Sequence, residues 1–576
     1  MKHKTLIYFI LTVLLFSCND KLDYNNYPNV ILVITDDQGY GDIGYNGNPH
    51  IITPNLDKFA SESIRFNNFN VSPVCAPTRS SLLTGRYSLR TGVTDTYNGG
   101  AIMSSNEITL AEIFNKKNYK TGIFGKWHLG DNYPSRPSDQ GFQESLIHLS
   151  GGIGQVGDFT NYYKGSTSYF DPILWLNNKQ KKYDGYCSDI FTDEALKFIE
   201  KNKDNQFFCY LSFNAPHTPL QVPEKYVQMY QDINPAIING DNLDMTEKNI
   251  QDAKKIYGMV TNIDENFGKL IKKLDELKLK ENTIVIFLTD NGPQQPRYVS
   301  NLRGLKSQVY NGGIKVPFYF NYPKIHGKDQ DIDFFSAHID VLPTLAKLCD
   351  LPLPNDRIID GVDLFDKNVN KNKRDFFSYW TRKSPELYKN VSLSSGNYKL
   401  VGNSNYNSPI EDFELYDLEI DPSEKENLVS SEKAIAKDMK SRMDKIYLEL
   451  IYSKNIIKKQ RIHIGTINEN PTFLNRNDAS GQRGIWNQNE VYGFWKVKFE
   501  SGIYDFKFKF NNLDVSAGEM ILELGNNVFS SEVVVDKDGF VLMNRVEISK
   551  GDFDLVPFLK SNRKNILPFL VEVKKL

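Results

Sequence analysis

The sequence predicts an α/β fold, a sandwich of helices around a central mixed sheet, extended by a small C-terminal α+β subdomain and an added β-sandwich module. Three observations carry this. Short, continuous β-branched runs, the pattern of strands buried on both faces, recur through the first half of the chain. Helical stretches with apolar residues about 3.6 apart separate them. Toward the C-terminus both patterns give way to strict alternation with Gly and Asn turns, the mark of antiparallel strands. At 576 residues the chain has room for one large domain and smaller companions.

In chain order, residues 1–17 read as an export signal: Lys2 and Lys4, an apolar stretch from Leu6 to Phe16, then Ser17 before Cys18. The stretch is too short for a mature membrane span. Its Leu-Phe-Ser-Cys ending resembles a bacterial lipobox. That resemblance makes Cys18 a lipidated first residue, anchors the chain to an outer membrane facing periplasm or cell surface, and leaves 18–27 as a tether. Plain cleavage to a periplasmic protein is the alternative.

The large α/β domain is placed at 28–384. Its first strand, Asn29–Thr35, ends in Asp36-Asp37; a second, 207–213, leads into Ala215-Pro216-His217; a third, Thr283–Thr289, ends in Asp290-Asn291. Helices are expected over 188–201 and 246–277, the latter with Lys and Glu on its outer face. A small subdomain at 385–454 holds strands near 398–401 and 413–416 and one amphipathic helix. From 455 to 576, Trp495, Val497 and Phe499 alternate with Lys496 and Lys498, and Tyr504, Phe506, Phe508 and Phe510 alternate with Asp505, Lys507 and Lys509.

With 69 basic against 71 acidic residues the net charge is −2, so no whole-chain field draws nucleic acid, and an anionic substrate must be held by a few local cations. After Cys18, Cys75, Cys187, Cys209 and Cys349 remain. If Cys75 is used for chemistry, one disulfide at most can form, and the fold is not disulfide-built.

Two buried strands that stop at Asp36-Asp37 and at Asp290-Asn291 point to one site at the carboxyl ends of a sheet. Three carboxylates and an amide are hard oxygen donors suited to Ca²⁺, and no Cys/His set argues for zinc. For either pair alone, ordinary turn chemistry is the competing reading. For Cys75 alone it is a buried, inert thiol.

Cys75-Ala76-Pro77-Thr78-Arg79 continues as Ser80-Ser81-Leu82-Leu83-Thr84-Gly85-Arg86-Tyr87. This resembles the signature of the type I, formylglycine-dependent sulfatases of the alkaline phosphatase superfamily, and more narrowly the polysaccharide-utilisation sulfatases of bacteria. Further matches are Gly125-Lys126-Trp127-His128-Leu129-Gly130, Ala-Pro-His217-Thr-Pro and Leu-Arg-Gly-Leu-Lys306, over about residues 28–450. The resemblance implies an alkaline-phosphatase-like fold and a sulfuric ester hydrolase. It implies that Cys75 is oxidised to formylglycine (3-oxoalanine) by a formylglycine-generating maturation enzyme. One Ca²⁺ is then held by Asp36, Asp37, Asp290, Asn291 and residue 75. Arg79 favours the ionised hydroxyl of the hydrated aldehyde, Lys126 and Lys306 hold sulfate oxygens, His217 aided by Lys306 is the acid, and His128 is the base.

A sulfated oligosaccharide or polysaccharide is the expected partner, with ulvan preferred and host glycosaminoglycans behind it. Residues 151–175, with His148 and Arg297, are expected as sugar-subsite walls, loop anchoring being the alternative for the aromatics. Trp486 and Trp495 bind carbohydrate or, as the preferred reading, fill a sandwich core in a module that braces the rest. Two further functions compete: a phosphonate or phosphodiester hydrolase with the same motif, and a glycan-binding lipoprotein with an inactive sulfatase fold.

Overall fold

The computed structural model describes residues 27–324, 329–369 and 373–576. The export signal, Cys18 and all of the tether but its last residue lie outside the described residues. Within them no helix is long and apolar enough to cross a membrane.

A ten-stranded mixed sheet organises the large domain. Its parallel centre runs Thr283–Thr289, Asn29–Thr35, Phe207–Ser212, Lys120–Lys126 and Glu144–His148. Antiparallel strands flank it, Phe318–Asn321 on one side and Ile173–Leu176 on the other. Every residue of Asn29–Thr35 and Thr283–Thr289 is buried, as continuous β-branched runs require when helices cover both faces.

The pleat divides the core. Val30, Leu32 and Ile34 join one apolar cluster with Ala76, Leu82 and Leu83 of the Cys75–Thr84 helix. Ile31 and Val33 face the other, with Phe191 of the Cys187–Lys201 helix and Ile263 and Phe267 of the Glu247–Glu276 helix. Thr246 starts the last of these, its side chain accepting from the Asn249 N–H in a capping box.

The next layer is a four-stranded antiparallel sheet, Asp375–Tyr379, Val391–Ser395, Tyr398–Gly402 and Phe413–Asp417, against which the Lys433–Ile451 helix packs through Met439, Met443 and Tyr447. Its first strand precedes the expected domain start at 385, because Asp375–Tyr379 pairs along its length with Val391–Ser395.

The C-terminal module consists of two packed antiparallel-rich sheets. The strands Gly493–Phe499 and Gly502–Lys509 supply the alternating aromatics, and Trp495, Phe499, Tyr504, Phe506 and Phe508 are all buried between the sheets. Cys75, Cys187, Cys209 and Cys349 are all free and buried.

Candidate active site

In-register pairing of Thr35 with Thr289 brings the two acidic strand ends together. The Asp290 N–H donates to the Thr35 carbonyl at 3.1 Å, and the Asp37 N–H to Asp290 Oδ1 at 3.2 Å. Asp37 has φ 64°, a left-handed conformation uncommon outside glycine, which turns the chain sharply at the strand end. All four residues are buried: Asp36, Asp290 and Asn291 at 0% and Asp37 at 1% exposure.

Cys75 is the first residue of its helix, after Val74 in extended conformation. It is 2% exposed and opens on a cavity of about 530 Å³ that His128, His217 and Lys306 also line. One turn on, Arg79 grips Asp290 Oδ2 through Nε and Nη2 at 3.0 and 2.8 Å, and its Nη1 donates to the Lys126 carbonyl and the Ser212 hydroxyl. The Lys126 ammonium reaches Asp36 Oδ2 at 2.6 Å, and Lys306 reaches Asp37 Oδ1 at 2.6 Å, where Asn291 Nδ2 also donates. The structure thus brings together all ten residues that the sequence nominated.

Hydrogen bonding sets the tautomers of the two histidines. His128 Nε2 lies 2.7 Å from the Thr96 carbonyl and must donate there, which leaves the Nδ1 lone pair 3.4 Å from Cys75 Sγ. Burial, then the Lys126 charge, hold His128 well below the ordinary imidazole pKa, so the ring is neutral. His217 Nδ1 lies 2.7 Å from the Thr218 carbonyl, which directs Nε2 toward Asp37 Oδ2 at 3.7 Å. Burial and Lys306 bring its pKa down to about 3, against the pull of Asp37. Burial pushes the Cys75 thiol up, so the unmodified residue is a poor nucleophile at neutral pH.

The donor set fits a hard divalent cation. Asp36 Oδ1, Asp37 Oδ2 and Asn291 Oδ1 are buried with no hydrogen-bond partner among the described residues. Buried acceptors are seldom left so. Ligand atoms of Asp36, Cys75 and Asp290, and those of Asp36, Asp37 and His217, gather within 4.8 Å of one another. Burial and the charge of Asp36 push Asp290 up to about 7 against the pull of Arg79.

Two expected subsite residues lie elsewhere. His148 is 0% exposed, its Nδ1 on the Leu149 carbonyl, beneath the site rather than on its wall. Arg297 is buried against Asp42 and donates to the Asp37 carbonyl at 2.7 Å, so it buttresses the acidic turn. Of the 151–175 segment, Gly151 and Gln155 line the cavity, whereas Trp175 packs between Phe159 and Phe473. Trp495 is in the sandwich core, as the preferred reading had it, but Trp486 stands in the cavity wall. Sequence reasoning missed Ser212 and Thr96, which orient Arg79 and His128 from distant segments with no local motif.

Comparison with known proteins is consistent with this geometry. A family model described as Sulfatase matches residues 28–351, and one described as N-sulphoglucosamine sulphohydrolase, C-terminal, matches 305–449. An ulvan-active sulfatase of Formosa agariphila is 31% identical over 379 residues, covering 62% of this chain and 69% of that one. Human arylsulfatase A is 30% identical over 407 residues, covering 65% and 74%. The crystal structure of Ps i-CgsB aligns with TM-score 0.65 at 29% identity, covering 74% of this chain and 94% of that one; the same protein is known in complex with k-i-k-neocarrahexaose.

Proposed function

Because the chain belongs to the sulfatase family and is a sulfuric ester hydrolase, we propose that it removes sulfate esters from a carbohydrate with residue 75, as formylglycine, for its nucleophile and calcium at the acidic strand ends. One observation carries this reading: Cys75 opens on the same cavity as His128, His217 and Lys306, beside buried carboxylate oxygens that lack partners. The relative named as an ulvan-active sulfatase and the neighbour solved with k-i-k-neocarrahexaose favour a sulfated polysaccharide, and ulvan is the first substrate to try.

Sulfate-ester cleavage needs a nucleophile in line with sulfur, neutralisation of the sulfate oxygens, and a proton for the departing alcohol. Oxidation of Cys75 supplies an aldehyde whose hydrate carries two hydroxyls, one to attack and one to expel sulfate afterwards. A bound calcium supplies fixed positive charge beside that hydroxyl; Asp36, Asp37, Asp290 and Asn291 are the residues that would hold it. Arg79, locked to Asp290, orients the helix that carries residue 75. Lys126 and Lys306, each already on a carboxylate, present preorganised charge to the sulfate oxygens. The lone pair of His128 Nδ1 faces residue 75 and takes the proton of its second hydroxyl. His217 and Lys306 meet at Asp37 and serve the leaving oxygen. His217 is neutral in the free site, and the negative charge of an incoming sulfate ester favours its protonation at Nε2.

Maturation by a formylglycine-generating enzyme, and an outer-membrane lipoprotein tethered through Cys18, complete the proposal. Mass spectrometry of the Cys75 peptide from protein co-produced with that enzyme tests the nucleophile. A loss of about 18 mass units, thiol to aldehyde, is expected, together with turnover of sulfated oligosaccharides that Cys75→Ser abolishes. Full turnover by the serine variant, or a faster rate on phosphate diesters than on sulfate esters, refutes the reading.

A further inference from the structure

The cavity that holds residue 75 is not walled by the α/β domain alone. Asn477, Arg483, Trp486 and Asn487 of the β-sandwich module line it beside Tyr97 and Arg382. The module segment is tied down where it meets the large domain. The Gly99 N–H donates to the Asn477 carbonyl at 3.3 Å, the Gly481 N–H to Asn98 Oδ1 at 2.7 Å, and the Asp131 N–H to Asp478 Oδ2 at 3.1 Å.

Three features of this wall ask for a ligand. Trp486 is half-buried, with its ring 5.8 Å from that of Tyr97, and its Nε1 has no partner among the described residues. Asn477 is 2% exposed, and its Oδ1 is likewise unpartnered. The two arginines differ: Arg382 is committed to Asp95 at 3.1 Å and lies over the Tyr97 and Trp380 rings at 4.8 and 4.7 Å. Arg483 is exposed, with no ion pair or side-chain hydrogen bond among the described residues.

We propose that the β-sandwich module completes a sugar subsite next to residue 75, in which Arg483 takes a second acidic group, carboxylate or sulfate, on the sugar adjoining the one that loses its sulfate. Trp486 and Tyr97 supply the apolar surface against which a sugar ring lies, with the buried indole N–H and Asn477 Oδ1, unpartnered among the described residues, behind it as polar groups a bound sugar would satisfy. A guanidinium offers paired donors that match the flat carboxylate or two oxygens of a sulfate. In a chain of net charge −2, such a local cation is what an acidic polymer would find. The inference rests on the sulfatase reading and adds to it a requirement on the neighbouring sugar.

The test uses full-length enzyme verified to carry formylglycine, and disaccharides with one common scissile sulfate whose neighbouring sugar carries a carboxylate, a sulfate or no charge. An aryl sulfate is the small reference substrate. Arg483→Ala should raise KM for the acidic disaccharides about ten- to hundred-fold, the scale of a charge-assisted hydrogen-bonded pair, and abolish their advantage over the neutral one. Arg483→Lys should restore part of it. Trp486→Ala should lower kcat/KM for all three disaccharides relative to the aryl sulfate. Whichever acidic disaccharide loses more identifies the group bound. Calorimetric affinities of Cys75→Ala enzyme with and without Arg483→Ala read the same subsite independently of turnover. Equal affinities, or an unaltered acidic-to-neutral ratio, overturn the proposal; wild-type enzyme with formylglycine that cleaves no sulfate ester overturns the sulfatase reading instead.

Discussion

At the scale of single residues, the site is a balance of buried charges. Asp37 shows this most clearly: burial alone would raise its carboxyl, yet Lys306, His217 and Asn291 together hold it well below the usual carboxylate range. Asp36 Oδ1 and Asp37 Oδ2 nonetheless have no partner among the described residues, and each unsatisfied buried acceptor costs about 1–3 kcal/mol. A divalent cation would relieve them, so calcium should stabilise the fold independently of catalysis. At a hundred times its Kd, calcium would add about 2.7 kcal/mol, seen as a rise of several degrees in Tm that a chelator reverses. Asp36→Asn should shrink that rise. A Tm indifferent to both calcium and chelator would remove the metal from the reading.

Among elements, the close packing of two strand ends decides whether the cations reach the carboxylates. Gly125 has φ 118°, and a Cβ there would stand 1.7 Å from the Ser212 carbonyl oxygen. Ser212 in turn donates its hydroxyl to the Lys126 carbonyl at 2.7 Å and accepts from Arg79 Nη1. Gly125→Ala must therefore push the Lys120–Lys126 and Phe207–Ser212 strands apart just where Lys126 leaves for Asp36. We expect a destabilisation of more than about 1 kcal/mol, read by chemical denaturation, together with a fall in kcat/KM. Wild-type values for both would mean the strands have slack that the geometry denies. The Gly-Lys-Trp-His motif was legible as a motif, but the reason for its glycine was not, because Ser212 lies on another strand.

On the scale of the whole molecule, the β-sandwich is seated on the large domain through buried carboxyls. Asp131 accepts from Asn475 Nδ2 at 2.7 Å and from the Ser150 N–H, and its own N–H meets Asp478. Burial raises both carboxyls, and Asp478 raises Asp131 further. The folded chain thus keeps these protons to higher pH than the unfolded chain, whose carboxyls titrate near about 3.9. Their contribution is most favourable below that value and is lost as pH rises through the folded values. Asp478→Asn should consequently raise Tm more at about pH 8 than at about pH 5, since the neutral amide removes the repulsion that grows with pH. Asn477, whose Oδ1 is unpartnered, can turn to accept from the new amide. An equal shift at both values would show that the pair does not govern the seating.

By itself, the sequence determined the main strands and helices and which polar residues gather at the strand ends. Continuous apolar runs, periodicity and short motifs are local properties, and Asp36, Cys75, Lys126, His217, Asp290 and Lys306 each sit inside one. The tertiary structure decided what shares a cavity. His148 and Arg297 were expected on its wall and are buried away from it, because a polar side chain near a site is as readily a buttress as a contact. Trp486 and Arg483 entered the wall from the C-terminal module, and no pattern in their own segment announces it. Such proximity comes from how two domains pack, a sum of many weak contacts across distant stretches of chain, and that sum has no period or motif to be read in one dimension.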